Sequence, residues 1–181
     1  MMKFKIIKAN IVDVASDAIV LPANEGLKEG PGSSKAIFSA AGRKELTQAC
    51  KKLGHRNIGS AVPTLAYNLS SKYIIHAVGP VYHDGKHHED QLLYSAYKQS
   101  LKLAKDHNCH SIAFCLISAG IFGYPVDEAW RKALQACMDF FLDHPDYDLR
   151  IVFACIDDNV INMGNDVLTE LKKSRKYSTL E

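Results

Sequence analysis

The stretch Ser111-Ile112-Ala113-Phe114-Cys115-Leu116-Ile117-Ser118-Ala119-Gly120-Ile121-Phe122-Gly123-Tyr124-Pro125 holds the organisation of the whole chain in miniature. Its first seven residues are almost continuously apolar, as in a strand covered on both faces. A turn with two glycines follows. Val126, Ala129, Trp130, Ala133, Leu134, Cys137 and Phe141 then recur at helical spacing. Pro125 is tolerated in a first helical turn, and Asp127 and Glu128 suit the positive helix end. Strand, glycine turn and helix in that order aim unpaired backbone N–H groups at one spot, which suits an anion such as phosphate.

The arrangement recurs upstream. Glu29-Gly30-Pro31-Gly32-Ser33-Ser34-Lys35 comes after the apolar run Ala18–Leu21 and opens a helix expected over Ser33–Ala41. Glycine admits close backbone approach and positive φ, so successive N–H groups can form an anion nest. In open α/β sheets ligands sit beyond the carboxyl ends of the strands. Two such turns on that edge predict a diphosphate ligand. Neither turn matches a P-loop or a dinucleotide fingerprint, so those chemistries are not indicated.

Further strands are expected over Phe4–Lys8, Ala61–Ala66, Tyr73–Val78, Ser111–Ile117 and Arg150–Ile156. Helices are expected over Lys44–Leu53 and Leu92–His107, and from Val160 through Leu171. The alternation predicts an α/β fold, a three-layer α/β/α sandwich with a mixed, mostly parallel sheet. The 181 residues suit a single domain spanning 1–181. The net charge of +2 supplies no general attraction to nucleic acid or anionic lipid, so an anion site must rest on local geometry. Five cysteines without Cys-x-x-Cys spacing read as buried free thiols in a reducing compartment. With no signal-peptide pattern and no apolar run long enough to span a bilayer, the expected location is cytoplasmic.

Several segments together resemble the macrodomain family. Asp17-Ala18-Ile19-Val20 with Ala23-Asn24, then Ala36-Ile37 with Ala40-Ala41-Gly42, look like its opening. Ile74-Ile75-His76-Ala77-Val78-Gly79-Pro80 and Ile117 through Pro125 resemble its middle segments, in matching order and spacing over nearly the whole chain. The resemblance implies an α/β/α sandwich that binds ADP-ribose or a derivative, without metal or cofactor. It implies that Gly30, Gly32, Ser33 and Ser34 meet the distal ribose and one phosphate. By the same resemblance Ser118, Ala119, Gly120, Ile121, Phe122 and Gly123 wrap the diphosphate, with Phe122 beside the distal ribose. Ala23 and Asn24 are placed at the distal ribose, and Asn10 and Ile11 at the adenine. ADP-ribosylated proteins are a further implied ligand class.

The chain departs from the family at informative places. Ala9-Asn10-Ile11 stands where many members read Gly-Asp-Ile, so the usual acceptor of the adenine amino group is here an asparagine. Leu21-Pro22-Ala23-Asn24 replaces Asn-Ala-Ala-Asn of hydrolytic members, and Ser34 takes the position often held by a catalytic aspartate. Serine is no general base near neutral pH, and that role ordinarily contributes ~10²–10⁴-fold. Two functions stand: a hydrolase of an ADP-ribosyl ester such as O-acetyl-ADP-ribose, with a water positioned near Asn24, or a non-catalytic ADP-ribose binder. Nucleic-acid binding through the basic tail Lys172–Lys176 is the weakest reading.

Other polar groups have plainer expectations. His83, His87, His88, Asp84, Glu89 and Asp90 match no common zinc spacing and read as a solvated loop. His76, inside an apolar strand, reads as a hydrogen-bonded structural histidine. Asp157 has two readings, contact with the adenosine half of the ligand and capping of the last helix, with capping preferred. Cys115 and Cys155 are expected to serve packing, and Lys35 to be exposed.

Overall fold

Apolar residues alternate sides along every central strand, and this lets one sheet bury both faces. The computed structural model of the protein describes residues 2–180. Its strands are β1 (Lys3–Lys8), β2 (Ala18–Ala23), β3 (Ala61–Leu65), β4 (Tyr73–Val78), β5 (Ser111–Phe114) and β6 (Arg150–Cys155). They form a sheet in the order β1-β6-β5-β2-β4-β3. All neighbours are parallel except the edge pair β3 and β4. The helices are α1 (Ser33–Ala41), α2 (Arg43–Leu53), α3 (Glu89–Asp106), α4 (Val126–Asp143) and α5 (Asp158–Lys172).

Ile19 and Leu21 of β2 pack with Ile37 and Phe38 of α1 and Leu46 of α2 on one face. Ala18 and Val20 point the other way, into a core with Tyr97 of α3, Trp130 of α4 and Val167 of α5. Each core buries side chains of about 1.5–3 kcal/mol apiece, which is why the strand sequences read as unbroken apolar runs. The expected sandwich and mixed sheet are therefore present.

Most expected boundaries shift by one to three residues, and β2 runs on from Leu21 to Ala23. β5 stops at Phe114, not Ile117, because its ladder with β2 holds only the pairs Ala18–Ile112 and Ile19–Ala113. Cys115 and Ile117 leave the ladder yet stay buried beneath the following turn, so their apolar character persists without strand geometry. α3 starts at Glu89, earlier than Leu92, and α5 starts at Asp158, earlier than Val160. In both helices the first turn is polar, so apolar periodicity marks the start too late.

Candidate functional site

Both glycine turns lie at the carboxyl edge of the sheet, facing each other across a cleft with two lobes. One lobe, about 430 Å³, includes Ala23, Asn24, Gly30, Ser34, Ser118 and Phe122 in its lining. The other, about 440 Å³, includes Asn10, Ile11, Ala119, Asp157, Val126 and Val160. Gly32, Ser33, Cys115, Leu116 and Gly120 line both lobes and form the waist between them. Ile121 belongs to the first lobe and is 80% exposed at its rim. Of the expected site residues only Gly123 lines neither lobe; its N–H closes the turn onto the carbonyl of Gly120 at 3.0 Å.

The waist is rich in unused backbone donors. Gly32, at φ +65°, caps α1 without a side-chain hydrogen bond, a conformation glycine tolerates best. The N–H groups of Ser33, Ser34 and Lys35 find no acceptor among the described residues, since the first intrahelical bond is from Ala36 to Gly32. In the second turn the N–H groups of Ala119, Gly120, Ile121 and Phe122 likewise find none. Unpaired amides from two turns, one at a helix N-terminus, converge on a concave site whose lining residues include no carboxylate in the first lobe. That combination favours an anion.

The first lobe contains polar groups with restricted roles. Ser34, 4% exposed, accepts the N–H of Gly30 through Oγ at 3.0 Å, and so fixes the glycine turn. Asn24 is bound twice to one backbone residue: Nδ2 donates to the carbonyl of Lys28, and Oδ1 accepts the N–H of Lys28, both at 3.0 Å. Its amide thus shapes the loop leading to Gly30. Ser118 is buried at φ +65°, and its Oγ has no partner among the described residues. Beneath it Gly79 carries no side chain because a Cβ there would come within 2.3 Å of that Oγ.

In the second lobe, Asn10 caps the short 3-10 helix Ile11–Asp13, accepting the N–H of Val12 at 3.2 Å. Asp157 caps α5, its Oδ1 accepting the N–H groups of Asn159 and Val160. The preferred capping reading of Asp157 holds, and the residue also lines the cleft. Cys115 and Cys155 are the floor residues that composition alone did not place in the site. Burial pushes their thiols up to about 12 and about 11, so both are inert packing groups here. Leu116, Val126 and Val160 were also missed; only their closeness to strand ends and helix starts hinted at the edge they line.

The remaining candidates lie elsewhere. His76 is fully buried, bonded to Thr64 Oγ1 at 2.9 Å, and burial pushes its pKa down to about 4. The segment from His83 to His88 is the exposed loop expected, and it closes around Glu89, which alone departs from that reading at 2% exposed. Its carboxylate accepts the N–H groups of His83, Asp84, Gly85 and His87. Burial alone would raise its pKa, but those four donors outweigh it and hold it at about 2. Asp84, His87 and Glu89 place ligand atoms within 4.8 Å of one another, but Glu89 is already committed to these donors. Lys35 is exposed, as expected. Among the described residues no helix is long and apolar enough to cross a membrane.

Comparison with known proteins bears on this edge directly. An O-acetyl-ADP-ribose deacetylase of Escherichia fergusonii is 41% identical over 172 residues, covering 93% of this chain and 96% of that protein. The Oceanobacillus iheyensis macrodomain with ADP superposes with a TM-score of 0.85 at 31% identity, covering 92% of this chain and 90% of that one. The Trypanosoma brucei macrodomain in complex with ADP-ribose superposes at 0.83 with 30% identity, covering 91% of this chain and 68% of that one. The Macro domain family model matches residues 20–133, a span that runs from β2 through both glycine turns into α4. Sequence and superposed fold agree, and the chain belongs to the macrodomain family.

Proposed function

We propose that this chain is a single-domain macrodomain that binds ADP-ribose or a metabolite carrying it, with the diphosphate across the waist. The observation that carries this reading is the convergence of unpaired N–H groups from Ser33–Lys35 and Ala119–Phe122 between two lobes of similar size. Each lobe suits one nucleoside-sized half of the ligand. The family resemblance assigns the base to the lobe with Asn10, Ile11 and Asp157, and the distal ribose to the lobe with Asn24, Ser34 and Phe122. Complexes of the neighbours with ADP and ADP-ribose support the ligand class.

Recognition is the function the distal lobe supports best. No carboxylate or imidazole is among its lining residues, and the amide of Asn24 already makes one bond at each end to Lys28. Hydrolysis of an ester such as O-acetyl-ADP-ribose is a second reading, favoured by the relative of that name. It would depend on positioning a water beside the ester, without a side-chain base. ADP-ribosylated proteins are candidate partners of the same lobe, and the buried free thiols suit a cytoplasmic setting.

Titration calorimetry with ADP-ribose, ADP and ribose 5-phosphate tests the reading. Saturable binding, tightest for ADP-ribose, is expected. Absence of binding at millimolar ligand would overturn it. Acetate release from O-acetyl-ADP-ribose then separates the two readings: turnover abolished by Asn24→Ala with folding retained identifies a hydrolase, and no turnover identifies a binder.

A further inference from the structure

A separate cavity of about 300 Å³ lies outside the cleft, between the loop that follows β2 and one face of α2. Arg43, Cys50 and Lys51 line it from α2, and Leu27, Lys28 and Glu29 from the loop. Leu27, Cys50 and the adjoining Phe38 of α1 are at most 3% exposed and supply an apolar floor. Arg43 and Glu29 neutralise each other, Nε to Oε1 at 2.6 Å. Lys28 and Lys51 have no ion-pair partner among the described residues, so the unspent charge of the cavity is positive. The stem of Lys28 lies over Gly26, where an added Cβ would meet its Cγ at 3.6 Å and its Cε at 3.7 Å. The N–H groups of Gly26 and Glu29, both in the lining, find no acceptor among the described residues.

These uncommitted groups are all donors, two of them charged, around an apolar floor. The combination suits an anion with an apolar body. A bare inorganic anion would leave the floor uncovered, and an uncharged hydrocarbon would make no use of the two ammonium groups. The loop wall also reaches the cleft. Leu27 holds φ +52° while buried, a conformation leucine adopts only under constraint from its surroundings. Lys28 lines the cavity, and its backbone N–H and carbonyl hold the Asn24 amide, which lines the cleft. One residue thus belongs to both places.

We propose that this cavity is a second ligand site, for a small monocarboxylate with an apolar body, and that its occupant changes the affinity of the cleft through Lys28 and Asn24. The carboxylate lies between the Lys28 and Lys51 ammonium groups, and the apolar body covers Leu27, Phe38 and Cys50. The site stands on the cavity alone; the coupling rests on the ADP-ribosyl reading above. A ligand held against Lys28 fixes one position of the loop, and with it the Asn24 amide. Such coupling is reciprocal between the two ligands.

Calorimetry on the full chain without ADP-ribose tests the site. Octanoate and 3-phenylpropionate serve as aliphatic and aromatic probes, and octylammonium as the control of opposite charge. At least one carboxylate should saturate with a Kd of about 1 mM or tighter, and octylammonium should not bind. Lys51→Glu reverses one exposed charge, so its Tm should stay near that of the unaltered protein while carboxylate binding weakens about tenfold or more. Failure of both carboxylates to bind, equal binding of octylammonium, or full-strength binding by Lys51→Glu would overturn the site. ADP-ribose is then titrated with and without saturating carboxylate. Its affinity should change by about fivefold or more in the unaltered protein, and stay constant in Lys51→Glu at the same carboxylate concentration. An unchanged affinity in the unaltered protein would overturn the coupling alone. Failure of ADP-ribose to bind at all would overturn the ADP-ribosyl reading and the coupling with it, while the carboxylate titration still decides the site.

Discussion

Two loops of this molecule gather backbone N–H groups, and they differ in what fills them. The segment before α3 wraps four N–H groups around the buried carboxylate of Glu89, an anion supplied by the chain itself. The turns at Ser33–Lys35 and Ala119–Phe122 offer a similar concentration of donors, and no side chain of the described residues fills them. The first is a finished structural element. The second is left unpaired by the chain's own side chains, and buried or cleft-facing donors are costly unless water or a ligand supplies acceptors. The proposed function rests on the loop that does not satisfy itself. The two are linked, since the N–H of Tyr82 bonds to the carbonyl of Phe122 at 2.8 Å, so the Glu89 loop braces the glycine turn.

Supplying the glycine turn with its own anion would erase the contrast. Nothing lies within 4 Å of a Cβ built on Gly120, so Gly120→Asp has room and places a carboxylate at the waist. ADP-ribose affinity measured by calorimetry should fall at least about 100-fold with Tm little changed, because like charges then meet. A smaller effect is expected from moving the turn bodily. Gly79→Ala puts a Cβ 2.3 Å from Ser118 Oγ and 2.6 Å from Ile117 Cγ2. Denaturant unfolding should show a loss of about 1–3 kcal/mol, and ADP-ribose binding should weaken in parallel.

Emptying the filled loop is the converse experiment. Glu89 is held at about 2 in the fold against an ordinary value of 4.5. Its ionised form therefore stabilises the protein above pH 4.5, and that contribution is lost as pH falls from 4.5 toward about 2. Glu89→Gln should lower Tm at neutral pH and flatten the acid dependence in that window. His76 titrates elsewhere: its folded value of about 4 lies below the ordinary 6.5, so its share is lost between 6.5 and about 4. His76 should keep its window in Glu89→Gln. The smallest effect is expected at Ser118, whose left-handed backbone and unpartnered hydroxyl both disfavour serine. Ser118→Gly should stabilise the fold by up to about 1 kcal/mol in denaturant unfolding.

Much of this was legible in the chain. α1 over Ser33–Ala41 and β4 over Tyr73–Val78 have the bounds expected from periodicity and glycine placement. Both depend on local physics, namely side-chain spacing and the conformations glycine permits. Both glycine turns fall at the carboxyl edge of the sheet for the same reason, since a parallel strand leading into a helix delivers its turn there. Glu89 was not legible. Among so many polar neighbours a buried carboxylate looks like a solvated one until the loop closes around it.

Asn24 makes the same point inside the cleft, because only the folded loop spends both ends of its amide on Lys28. The layers, the alternating cores and the two turns follow from short-range pattern and burial along the chain. The tertiary structure alone decided which polar atoms remain free: Ser118 Oγ, the amides at the waist, Asn10 Nδ2 and Asp157 Oδ2. A residue's type states what bonds it can make, but partners that arrive from β6, α1 or a distant loop decide which of them it has left to offer.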